Sequence, residues 1–186
     1  MTKDQLYRKL NEVNATRACR HQYATLVLNE PDLFRPLMEI LFMVNDKTSC
    51  KAAWVFEFVC AEQLALIIPQ LNYFSENITK VHLDSAVRPV SKVCLFIVEA
   101  YFSKTENSIK SNLTSSHKAQ IIEACFNWMI SDQKVAPKVY AMTSLFLLGK
   151  ELQWVHSELV SILEKDFSSQ SAGFKAKARH IMQKLT

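Results

Sequence analysis

The stretch Asp46–Gln63, DKTSCKAAWVFEFVCAEQ, constrains the fold of this chain more than any other. Ala53, Phe56, Val59 and Cys60 return at steps of three and four, which puts them on one face of a helix. Asp46 or Ser49 stands where free backbone N–H groups at a helix start need an acceptor, and Lys51 follows in the early turns. Related stretches begin near Ala15, Asp84, Gln133 and Ser171, each preceded by another apolar helical segment. The repetition predicts an all-α chain, an α-α superhelix of about five helix pairs in which each pair buries its neighbour's apolar face.

The pairs fall at approximately residues 1–30, 31–63, 64–103, 114–150 and 151–186. In the first, Leu6, Leu10 and Val13 are in phase, then Cys19, Tyr23, Leu26 and Val27. Leu33–Val44 precedes the Asp46 helix, with Pro36 near its first turn, where a missing N–H costs little. Leu64–Ile78 reads as a helix that Pro69 kinks or whose true start it marks, and Asp84–Phe102 is its partner. Ser103–His117 is dense in Ser, Asn, Thr and Lys; it reads as an exposed loop with a short turn around Ile109–Leu113. Ser116–Ile130 pairs with Lys134–Gly149, where Gly149 is placed as a C-terminal cap. Leu152–Phe167 pairs with Ser171–Leu185.

Lys51 to Arg88 is 37 positions, Arg88 to Lys138 is 50, and Lys138 to Lys175 is 37. Removing most of the Ser103–His117 insertion brings the middle interval into line. Two-helix units at such periods mark HEAT and armadillo arrays. The pattern Asp–x–x–x–Arg–x–Val leading a second helix, clearest at Asp84, Arg88 and Val90, resembles HEAT repeats, with Lys51 and Lys138 in place of the usual arginine. The resemblance covers most of the chain and implies a solenoid that binds extended partners.

The whole chain also looks like short bacterial helical-repeat proteins that sometimes carry the label adenylosuccinate lyase. That label implies a mobile Ser- and Gly-rich signature loop with a His/Ser constellation. Ser115–Ser116–His117 is the stretch here that comes nearest, and it is short.

Only two glycines, Gly149 and Gly173, are present, too few for loops that bring backbone close to a phosphate. The five cysteines (Cys19, Cys50, Cys60, Cys94, Cys125) include no C-x-x-C pair; most fall at apolar helical positions and read as buried thiols. Apolar runs such as Leu64–Pro69 fall short of the ~20 residues that cross a bilayer. A reducing cytoplasm without membrane association is therefore expected.

A net charge of +4 permits an anionic partner without demanding one. The second helix of each pair carries cations early: Arg17 or Arg20, Lys51, Arg88 with Lys92, Lys138, and Lys175 with Arg179. With helices ~10 Å apart, such a ladder would cover roughly 40 Å, close to one turn of duplex DNA. The competing reading makes these cations structural, paired with Asp46, Asp84 and Asp132 between neighbouring units. Trp154 is the tryptophan best placed to be exposed for stacking, whereas Trp54 and Trp128 read as packing. The histidines His21, His82, His117, His156 and His180 show no metal-ligand spacing, and Glu99, set in an apolar run, is expected to be partly buried. No catalytic residue, metal or cofactor is expected. The partner expected is a protein segment, with nucleic acid as the alternative.

Overall fold

The computed structural model describes residues 1–185, and all their regular secondary structure is helical. Helix α1 (Lys3–Leu10) opens on a capping box: the Thr2 hydroxyl accepts from Gln5 N, while the Gln5 side chain accepts from Thr2 N. Helix α2 (Arg17–Asn29) is capped by Thr16, and α3 (Phe34–Leu41) leads to α4 (Lys47–Glu62). Asp46 caps α4, accepting Thr48 N at 2.7 Å and the Tyr7 hydroxyl at 2.7 Å. These two contacts hold the Asp46 carboxyl below its usual pKa, the backbone bond contributing most. The same side chain thus starts a helix and ties it to α1.

Of the two readings of Pro69, a kink or a true helix start, the second holds: the α-helical part of Leu64–Ile78 begins at Leu71, just past the proline. Leu64–Gln70 is 3-10, α5 spans only Leu71–Ser75, and a second 3-10 turn covers Ile78–Lys80. Pro69 cannot donate to the ladder and disfavours α geometry at Ile68, so the tighter turn persists until the chain is past it. Helix α6 (Asp84–Phe102) follows. The expected loop after it is also more ordered than its composition implies. Asn107 accepts from Ile109 N and Lys110 N to start α7 (Ser108–Asn112), which buries Ile109, while Leu113 is buried just beyond.

Helix α8 (Ser115–Ile130) begins with a second capping box, Thr114 with His117. The His117 ring is buried, and its other nitrogen meets the Asn72 side chain. Ser115–Ser116–His117 is therefore a helix start and not a loop. Helices α9 (Val135–Leu148), α10 (Gln153–Asp166) and α11 (Ala172–Leu185) complete the chain. Gly149 is the C-cap residue of α9, but its φ of −63° is right-handed. A Cβ there would lie 1.9 Å from the His156 ring, which is bonded to the Phe146 carbonyl. Close packing, rather than a left-handed turn, explains this glycine.

The second helices form one layer, with α2 against α4, α4 against α6, α6 against α9 and α9 against α11. The first helices cover it: α1 meets α3, α5 meets α8 and α8 meets α10. The result is an all-α solenoid of about five helix pairs. Phe34 (α3), Phe56 (α4) and Phe74 (α5) run through the core with ring centroids 5.4 and 5.7 Å apart. Cys60, Cys94 and Cys125 are buried in α4, α6 and α8, and burial pushes the Cys125 thiol up to about 12. Glu99 is exposed, unlike the partly buried position expected, because its side chain projects from the outer edge of the apolar face of α6. Among the described residues no single helix is long and apolar enough to cross a membrane; α4 and the Leu64–Ser75 segment meet at 114°.

Candidate functional site

The site starts from a proline. Pro89 lies inside α6 and has no N–H to give the Ser85 carbonyl one turn back. Trp54 of α4 takes that place: its indole N–H donates to the Ser85 carbonyl at 2.9 Å. On the other side, the Arg20 guanidinium of α2 sits 4.9 Å from the Trp54 ring centroid. One turn further along, Arg88 of α6 donates to Glu57 of α4 at 2.7 Å. Three consecutive second helices are thus linked through Arg20, Trp54, Glu57 and Arg88.

Around these links the surface is hollowed. A groove of about 400 Å³ is lined by Arg17, Arg20 and His21 of α2, Phe58 and Glu62 of α4, and Arg88. A second hollow of about 260 Å³ shares Arg20 and Arg88 with it and extends past Trp54 and Asp84 to Lys134 and Pro137 at the start of α9. Asp84 and Lys134 approach at 3.5 Å across that hollow. Both signs of charge therefore line the groove, over a floor containing Trp54 and Phe58.

The cations singled out in the sequence have different fates. Arg17, Arg20 and Arg88 converge on the groove. Arg17 is exposed and, among the described residues, has no hydrogen-bond or ion-pair partner. Arg20 donates to the Ala15 carbonyl, yet its Nε is buried without a partner. Lys51 turns away to the Asn11 carbonyl. Lys92 lies over the rings of Phe96 and Tyr140, at 5.0 and 4.7 Å. Lys138 is only 7% exposed. Lys175 bonds the Ser168 carbonyl and, with Arg179, flanks Phe167. The carboxylates differ too: Asp46 is a cap, Asp84 meets Lys134, and Arg88 pairs with Glu57 rather than an aspartate.

Trp154 is 56% exposed and packs tilted against Phe126 with centroids 6.0 Å apart, away from the groove lining. Trp128 is buried. Among the described residues no group of three His, Cys, Asp or Glu side chains is placed to hold a metal.

The sequence marks Trp54 as packing and carries no sign of Phe58, Glu62 or Lys134 as site residues. The signal available was Pro89 itself, since a helix-internal proline frees a carbonyl for a neighbour's donor. A separate hollow of about 300 Å³ between α6, α9 and α11 is lined by Lys150, Lys177 and Lys184, none of them in the expected ladder, and by His180, which the sequence raises only as a metal ligand. There the signal was the spacing of 177, 180 and 184, one face of a helix.

No curated protein and no solved structure matches the chain. A family model for the HEAT repeat domain matches residues 2–185, nearly the whole length. The paired helices, the layered packing and this match agree, and the chain belongs to the HEAT repeat domain family.

Proposed function

We propose that the groove across α2, α4, α6 and α9 holds an extended segment of a partner protein carrying at least one acidic side chain. The observation that carries this reading is the state of the groove's cations: Arg88 is already paired with Glu57, while the exposed Arg17 retains its donors without an acceptor among the described residues. An extended chain supplies acceptors through its carbonyls and a carboxylate, and its apolar side chains suit the ring faces of Trp54 and Phe58. A helical-repeat scaffold offers long grooves to such segments. Nucleic acid fits less well, because Glu57, Glu62 and Asp84 line the same hollows and would face its phosphates.

The test is a titration with a synthetic peptide alternating Asp or Glu with Leu and Ser, against wild type and Arg17→Glu. Reversing that charge should weaken binding at least roughly tenfold, about 1.4 kcal/mol, while the unfolding midpoint does not fall, since Arg17 opens α2 and a carboxylate suits that end. Binding unaffected by Arg17→Glu would sink the reading. So would duplex DNA binding with a salt slope of about −4.5, the value for roughly five neutralised phosphates.

A further inference from the structure

The hollow between the ends of α6 and α9 and the outward face of α11 shares no lining residue with the groove. Its test is therefore independent of the reading above. Lys177, His180 and Lys184 form a stripe on α11, and Lys150 reaches it from the turn after α9. Lys150 and Lys184 both lie over the Phe146 ring, at 5.9 and 5.8 Å from its centroid, and Lys150 is also 5.7 Å from that of Phe102.

Among the described residues, none of these four basic side chains is ion-paired. Among the described residues Glu99 is the one carboxylate in the wall, and it too lacks an ion pair. Two ammonium groups over one ring, with a third beside them, repel one another unless an anion arrives. Thr143 spends its hydroxyl proton on the Val139 carbonyl, so the donors to such an anion are the ammonium groups and the His180 ring.

We propose that this pocket binds a compact anion with two or more charges, of the phosphate or diphosphate class. A cavity of about 300 Å³ admits such a group, and flexible lysine stems close on it from different elements. A nucleic-acid backbone is the weaker candidate: a long strand would run past Glu99, and the positive charge is gathered at one hollow.

Isothermal titration with inorganic pyrophosphate in a phosphate-free buffer tests the proposal. One site per chain is expected, and Lys177→Gln with Lys184→Gln should weaken it about tenfold or more. Lys165→Gln, an exposed lysine outside the pocket, should leave affinity within about twofold. Circular dichroism and the unfolding midpoint establish that each variant is folded. Absence of pyrophosphate binding at millimolar concentration would overturn the proposal. The same holds if the double variant binds unchanged, if Lys165→Gln loses as much, or if only an oligonucleotide binds.

Discussion

Trp54 shows how much a single side chain can carry in a stack of this kind. It closes the hydrogen bond that Pro89 leaves open, supports Arg20 and forms part of the groove floor. Trp54→Phe keeps most of the ring but removes the donor to the exposed Ser85 carbonyl, and should cost about 0.5–1.5 kcal/mol by urea unfolding. A change below about 0.5 kcal/mol would show that water replaces the indole. The cysteines give a second residue-scale expectation. Cys60, Cys94 and Cys125 are buried with thiols raised by desolvation, whereas Cys19 and Cys50 are half-buried. A thiol reagent acting on the native protein should reach only the latter two before unfolding; early labelling of Cys94 would contradict the packing described.

At the scale of the element, the caps decide where helices begin. Asp46→Ala removes both the α4 cap and its tie to Tyr7, so it should cost roughly 1–2 kcal/mol in chemical unfolding. His117 couples the α8 cap to pH. Burial lowers its pKa below the ordinary value, so the unfolded chain takes up a proton first as pH falls. Its contribution is complete above about pH 6.5 and is lost as pH drops from there toward the folded value. Wild type should therefore lose more stability than His117→Gln between about pH 7.5 and about pH 5.5; equal losses would remove His117 from the account.

These elements also show what was legible beforehand. Helices with long apolar periods, such as α4 and α6, could be read from spacing because one face is buried along their whole length. The 3-10 passage through Leu64–Gln70 could not, since apolar spacing fits either helix until the chain's path past Pro69 is known. Around Ile109–Leu113 the sequence shows a short turn, where α7 lies, but not its burial, because that order comes from one Asn107 cap and two buried side chains within polar sequence. For the site, Arg17, Arg20 and Arg88 were visible as a spaced series, but spacing says nothing about partners. Only packing reveals that Arg88 meets Glu57 while Lys51 turns to the Asn11 carbonyl.

For the whole molecule, the layer of second helices joins stability to recognition. The Arg20–Trp54–Ser85 link crosses three of those helices and lies in the lining of the proposed peptide groove, so occupancy there should be felt at the indole. The three tryptophans make this readable, since Trp128 is buried and Trp154 packs against Phe126 outside the groove. The most direct measurement follows the three indole N–H signals in ¹⁵N-labelled protein during titration with the acidic peptide. The account predicts that the Trp54 signal moves with peptide concentration while those of Trp128 and Trp154 stay in place. Movement of Trp154 alone, or saturation with Trp54 unmoved, would contradict it.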